Sequence, residues 1–408
     1  MELEKIKTLI AELRPGMYVS MLDRPWLDTP FPFQGFVITE EDIDILAKYC
    51  QYVFVDLEKS HLRPAADKRH HKPDAPLFNP AKVKLYPKET SREEETRAAH
   101  KAHRALGDAY QRVLKDLSQN RKLSVPLLKE AVLPMVDSVI RNPDALLLLT
   151  RLKKMDSYAY QHAMSCAVLA VATGRQIGLP KPMLLDLAMG GALFDIGRMR
   201  IPEAILSRPK RLSEDEMALV RQHVQFSIEA LENNDHISAE VVQMIATHHE
   251  RYDGSGYPAG LRGDAIPLFG RIAGIVDSYD AITSDRPHAT QLTPDAALRM
   301  IYEWRDLEFH GALVEQFIQV IGVYPVGTIV ELSDGRVGIV SGQHPEARLR
   351  PMVMVVLEKD KQPPADYYEF DMRNHRQGED GQPLSIHRSL PAGSYDIDPI
   401  DYFVLPTA

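Results

Sequence analysis

The chain has 408 residues, enough for two or three domains at roughly 100–200 residues each. Hydrophobic residues make up 44% and charged residues 26%, an ordinary globular balance, and 57 acidic against 48 basic side chains leave a net charge of -9. That charge argues against nucleic acid or an anionic membrane surface as the main partner, so an anionic small substrate would need positive charge supplied locally, by metals or placed Arg and Lys.

The opening "MELEKIKTLIAELRPGMYV" lacks an apolar core of signal-peptide length, and no run of about 18 apolar residues follows anywhere, so a cytoplasmic protein with no membrane span is expected. Within residues 1–60, "MYVSML" and "QYVFVDL" read as strands and "TEEDIDILAKYC" as a helix with Thr39 as N-cap, a small α+β unit expected to regulate or dimerise. The Pro-rich, aromatic "DRPWLDTPFPFQGF" between them is too punctuated for a helix and reads as a loop. Residues 61–90, rich in Pro, Lys and His, read as a linker. Its His70 and His71 have no carboxylate or Cys spaced to complete a metal shell. Cys50 and Cys166, the two cysteines of the chain, lie in different segments and imply neither a disulfide framework nor a Cys-based zinc site.

From Ser91 the pattern turns helical, with Ser91 and Glu94 as a capping-box signature. Apolar residues recur at helical spacing over 91–322, broken at Pro143, at "GLPKP" and at "HERYDGSGYPAGLRGDAIP". After Gly322, "YPVGTIVELSDGRVGIVSG" alternates β-branched residues around an Asp334-Gly335 turn, and "RPMVMVVLE" supplies a further strand, so 323–408 is expected to be a small β-rich module. The expected fold is mainly α: a helical bundle flanked by two small units.

Six residues of the helical segment carry metal-binding chemistry next to apolar runs. They are His162, Asp195, His223, the pair His248 and His249, and Asp277, spaced roughly 25–35 residues apart as if one element each pointed at a common centre. Each alone has a structural explanation, as a satisfied core histidine or a buried cap. Together they would leave many buried polar groups at several kcal/mol each, whereas imidazole plus carboxylate suits Fe, Mn or Zn.

"HHERYDGSGYPAGLRG" resembles the HHExxDGxGYP signature of the HD-GYP family, a branch of the HD phosphohydrolase superfamily. "ALFDIGRMRIPEAIL" resembles that family's HDIGKIGIPxxIL stretch, and "GRIAGIVDSYDAITSDRP" its last metal-binding helix. The N-terminal "LRPGMYVSMLDRPWLDTPFPFQGF" is similar to the small domain preceding HD-GYP in a bacterial subgroup. The resemblance implies a helical HD-type bundle and hydrolysis of cyclic di-GMP to pGpG, with GMP as a further product, at two divalent metals, Fe or Mn first. It implies His162, Asp195 and Asp277 at the first metal and Asp195, His223, His248 and His249 at the second. It implies Asp195 and Arg198 in catalysis, and Arg286 and Asp280 at the substrate. GGDEF-type proteins at the GYP loop and a homodimer are the implied partners.

The departures from that pattern matter. Phe194 stands where the family has the histidine of its HD pair, and a phenyl ring cannot ligate. The first site then keeps three ligands and should weaken by about 10- to 1,000-fold, judging from what even outer-shell losses cost. Arg198 replaces a lysine, Ala289 a basic residue, and Tyr158 a Glu that in some members holds a third metal. Three readings of Phe194 stay open: a degraded enzyme, a tolerated variant or a deliberate substitution. A degenerate domain that binds cyclic di-GMP or a protein without turnover is the alternative function; a hydrolase of other nucleotides is a third. The Asp253–Pro258 loop lies over the active site or forms a contact surface.

Overall fold

The computed structural model describes residues 5–23, 36–38, 40–56, 60, 84–152, 158–208, 212–232, 234–284, 291–344, 347–375, 377–378 and 381–403. Thr39, most of the Pro-rich loop, His70, His71, Arg286 and Ala289 lie outside them.

The N-terminal unit is an antiparallel sheet in the order β1-β4-β2-β3, built from β1 (Lys5–Leu9), β2 (Tyr18–Leu22), β3 (Phe36–Val37) and β4 (Tyr52–Asp56), with helix α1 (Glu40–Tyr49) against it. Alternation in β4 sends Val53 and Val55 inward to meet Val19, Ile38 and Leu46. Strand β1 was not among the expected elements; it pairs with β4 from Lys5↔Asp56 to Leu9↔Tyr52.

The large core belongs to helices α2 (Arg92–Ser118), α3 (Val125–Arg141), α4 (Pro143–Leu152), α5 (Tyr158–Gln176), α6 (Lys181–Leu193), α7 (Glu203–Leu206), α8 (Glu214–Arg221), α9 (His223–Leu231), α10 (Ala239–Thr247), α11 (Leu268–Thr283), α12 (Pro294–Glu303) and α13 (Gly311–Ile321). Helix α2 starts at the anticipated box: the Ser91 hydroxyl accepts from Glu94 N at 3.2 Å and Ser91 N donates to the Glu94 carboxylate at 2.9 Å. The chain breaks at the punctuated positions, with α4 opening on Pro143 and α6 following Pro180. Residues 84–90 run along this body: Lys84 N donates to Gly178 O at 2.9 Å, and the Tyr86 hydroxyl to Leu179 O at 2.9 Å.

The C-terminal sheet is antiparallel in the order β8-β7-β6-β5-β9, from β5 (Ile329–Leu332), β6 (Val337–Gly342), β7 (Met352–Leu357), β8 (Tyr368–Asp371) and β9 (Ile386–Leu390). The β5–β6 hairpin turns at Asp334-Gly335, where Gly335 takes φ 93°, a left-handed conformation that costs a glycine little. The sheet meets the bundle through Val326, which packs on Leu148 and whose carbonyl accepts from Arg151 at 2.7 Å. Among the described residues, no helix is long and apolar enough to cross a membrane.

Candidate metal centre

Five short segments deliver the site. Helix α5 carries His162 one turn from its start, and α6 ends at Phe194, so that Asp195 begins the 3₁₀ turn Ile196–Arg200 holding Arg198. His223 opens α9, His248 and His249 follow the end of α10, and α11 carries Asp277 and Asp280. Two glycines permit the approach. A Cβ on Gly191 would stand 2.8 Å from the Ala167 Cα, so only glycine lets α6 lie this close to α5. A Cβ on Gly197 would stand 2.2 Å from the His223 carbonyl. The Ser227 hydroxyl locks that contact, donating to Phe194 O at 2.8 Å and accepting from Gly197 N at 2.9 Å.

The side chains converge on two overlapping points. One ligand atom each from Asp195, His223, His248 and His249 lies within 4.8 Å of the others, and the same holds for His162, Asp195 and Asp277. His223 Nε2 is 3.3 Å from His248 Nε2 and 3.1 Å from His249 Nε2. Ligands about 2.1 Å from a shared ion stand roughly 3–4 Å apart, so these spacings suit one. Asp195 is common to both sets: Oδ1 lies 3.2 Å from His223 Nε2 and Oδ2 3.3 Å from His162 Nε2. Asp277 Oδ1 stands 3.2 Å from His162 Nε2, and its Oδ2 3.6 Å from His249 Nδ1.

Proton placement tests whether a cation fits. The Nδ1 atoms of His223 and His248 donate to Val220 O and Ile245 O, each at 2.7 Å. With Nδ1 committed to a carbonyl, Nε2 is the ring atom that each histidine turns to the centre, where it can serve as a ligand. Burial and the neighbouring His248 push the His249 pKa well below the ordinary value. Both Asp195 oxygens are buried and accept no well-aligned hydrogen bond, although His162, Arg198, His223 and His248 nitrogens crowd them at 3.0–3.7 Å. Burial pushes the Asp195 carboxyl up, but Arg198 and the imidazoles outweigh it and keep it well inside the ionised range. Buried lone pairs without donors, around an ionised carboxylate, fit divalent metal ions.

Asp280, expected at the substrate, contacts a histidine of the centre. It is buried, and its Oδ2 lies 2.6 Å from His162 Nδ1, on the side of the ring opposite the convergence point. It therefore positions His162, fixing the tautomer that leaves Nε2 free. The signal was present in the sequence, because Asp277 and Asp280 are three apart on one helix and share a face. Cys166 Sγ sits 3.6 Å from the same Nδ1, and burial pushes the thiol pKa to about 12.

Phe194 is fully buried among the ligands. Its ring stacks on His248 at 4.6 Å and meets His162 edge-on at 5.8 Å, so the position that lacks an imidazole is filled by packed phenyl. Tyr158 stacks on His162 at 5.5 Å. On the outer side, Tyr257 of the GYP stretch stacks on His249 at 4.6 Å, with the Arg221 guanidinium 4.9 Å over the tyrosine ring. The loop is anchored by buried Glu250, whose carboxylate accepts from Ala259 N and Leu261 N at 2.8 Å each. Tyr257, Arg221 and Glu250 were not singled out in the sequence; Glu250 lies within the matched HHE motif, and Arg221 carried no signal. Arg198 approaches the centre with Nε 3.0 Å from Asp195 Oδ2 and stays 24% exposed.

The chain is similar to several known proteins. Residues 148–313 match the HD domain model, and residues 5–126 match a domain of unknown function, DUF3391. The chain is 33% identical over 395 residues to Cyclic di-GMP phosphodiesterase PA4108 of Pseudomonas aeruginosa, covering 96% of this chain and 94% of that one. It is 39% identical over 145 residues to Cyclic di-GMP phosphodiesterase response regulator RpfG of Xanthomonas campestris pv. campestris, covering 35% and 38%. Among solved structures it is similar to Bd1817, a HDG"Y"P protein from Bdellovibrio bacteriovorus, at 14% identity and TM-score 0.47, covering 77% of this chain and 98% of that one. With a matched HD domain, an intact GYP stretch and a relative similar over nearly its whole length, the chain belongs to the HD-GYP family, the cyclic di-GMP phosphodiesterase branch of the HD domain proteins.

Proposed function

We propose that this chain hydrolyses cyclic di-GMP to pGpG, and slowly on to GMP, with His162, Asp195 and Asp277 holding one divalent ion and Asp195, His223, His248 and His249 a second. The observation that carries the reading is Asp195: a buried, ionised carboxylate whose oxygens accept no well-aligned hydrogen bond amid converging imidazole nitrogens. Iron or manganese suits the mixed imidazole and carboxylate donors. Bound divalent ions supply Lewis acidity toward a phosphoryl oxygen and acidify nearby water. The chain's own residues do the rest. Asp195 joins the two half-sites, and Asp280 keeps His162 aimed at the first. Arg198, partly exposed beside Asp195, offers its remaining N–H groups to a phosphate oxygen. Tyr257 packs on His249 and Phe194 on His248, so aromatic carbon covers those two rings. With Phe194 contributing no donor, the His162 half-site binds its ion more weakly than the other. The N-terminal sheet, which adds no residue to the centre, regulates or dimerises, and the exposed rim of the GYP loop is the surface a GGDEF partner would meet.

The test is metal analysis and turnover of cyclic di-GMP by the full chain purified with iron or manganese, beside Asp195→Ala. The proposal expects bound metal and pGpG from the parent, and neither from the variant. Phe194 in the ligand shell favours one competing reading, binding without turnover. It would replace the proposal if the metal-loaded parent bound cyclic di-GMP and released no pGpG.

A further inference from the structure

A cavity of about 770 Å³ lies where the bundle meets the C-terminal sheet, between α4, α5, α11 and α13 on one side and Val326–Ile329 and Leu390–Pro399 on the other. It is separate from the metal centre: none of Asp195, His223, His248, His249 or Asp277 lines it. Asp280 and Tyr158 form part of its wall, and both face His162 on their other side. Its size is that of a small-molecule site.

Arg151 on the wall is a cation without a counter-ion among the described residues. It donates to Val326 O at 2.7 Å and to the Thr328 hydroxyl at 3.1 Å, both neutral acceptors, and its other three N–H groups have no partner among the described residues. Burial lowers its pKa. The carboxylates nearby are already committed or in solvent. Asp144 pairs with Lys88 at 2.6 Å, Asp280 with His162, Asp398 caps Ile400 N, and Asp396 is exposed. Leu147, Leu169, Val320 and Ile321 supply an apolar body to the cavity, and Gln161, whose side-chain amide has no partner among the described residues, is part of its wall. An unpaired guanidinium, an apolar slot and a free amide match a ligand with one anionic group, a planar ring and a polar ring edge.

We propose that this cavity is a second ligand site that takes a mononucleotide, with its phosphate on Arg151 and its base edge at Gln161. It sits against Asp280, so its occupancy reaches His162 and with it the first metal half-site. The binding claim stands apart from the phosphodiesterase reading and is tested without turnover. Calorimetric titration of GMP into full-length Asp195→Ala protein, whose metal centre is disabled, should show one saturable site. Arg151→Gln in that background should weaken binding at least about 10-fold, and Val320→Trp, which fills the cavity from α13 and leaves Arg151 in place, should abolish it with the melting temperature preserved. No GMP binding, or binding that survives both changes, would overturn the proposal. Inorganic phosphate binding as tightly as GMP would also overturn it, since the apolar slot and Gln161 would then contribute nothing.

Discussion

Phe194→His tests what the phenyl ring does at the centre. Phe194 has no exposed surface and packs on His248 and His162, so the change has a cost in the metal-free protein. Lost apolar burial takes about 1–2 kcal/mol and lost ring stacking about 0.5–1.5. A buried ring nitrogen without a partner takes a further 1–3 kcal/mol or so. The chelated variant should therefore be about 2.5–6.5 kcal/mol less stable than the chelated parent. Metal reverses the sign of the nitrogen's contribution, because its lone pair then has an acceptor for its electrons next to Asp195. At metal concentrations about 100 times Kd, binding returns about 2.7 kcal/mol. The measurements are denaturant unfolding with and without chelator, metal content, and turnover of cyclic di-GMP. The expected pattern is a large stability gap in chelator that closes with iron or manganese, metal rising toward two per chain, and turnover rising about 100-fold, equivalent to about 2.7 kcal/mol of transition-state stabilisation. A variant that gains no metal over the parent would refute the reasoning. So would a parent already holding two ions and turning over at the variant's rate, since three protein ligands would then suffice.

Asp280→Ala frees His162 Nδ1 from its 2.6 Å partner and should cut metal affinity of the first half-site about 10- to 100-fold while sparing the second, which a metal titration resolves as one weakened step of two. Glu250→Gln turns two charge-assisted bonds to the GYP loop into one neutral bond and one donor–donor clash, so thermal unfolding should show a loss of about 2–4 kcal/mol. Burial pushes the Glu315 carboxyl up to about 8 from an ordinary 4.5, so the folded chain holds a proton that the unfolded chain releases. Its contribution to stability is intact below about pH 4.5 and is lost as pH rises through about 8. Unfolding of the parent against Glu315→Gln across that window should show the parent falling by several kcal/mol relative to the variant; parallel curves would exclude the shift.

Much of the candidate site was legible because metal chemistry restricts residue type. His and Asp at the edges of apolar helical runs stand out against a core that otherwise excludes them, and the structure brings those six side chains together. Contacts set by tertiary approach were not legible. Tyr257 reaches His249 because Glu250 folds the loop back, and Arg151 faces a cavity because two cores meet there; neither follows from periodicity. The bundle was readable from its caps and prolines, whereas β1 was missed: "KIKTL" is a short edge strand, exposed at Ile6 and Leu9, whose only strong signal is its pairing with β4.

The two half-sites are built with unequal security. His223 and His248 are oriented by main-chain carbonyls of their own segments, Val220 and Ile245, groups that no side-chain substitution removes. His162 is oriented by one side chain, Asp280, on another helix, and shares its wall with Tyr158 and Phe194. Phe194 touches both half-sites, stacking on His248 at 4.6 Å and meeting His162 at 5.8 Å, and of the two it is His162 that has the lesser local support. The second half-site keeps three imidazoles and a carboxylate whatever occupies that position. Metal binding should accordingly persist through losses that stop turnover. Occupancy and activity must be measured separately, because one ion in the His223–His248–His249 half-site would stabilise the fold without assembling a two-ion phosphodiesterase.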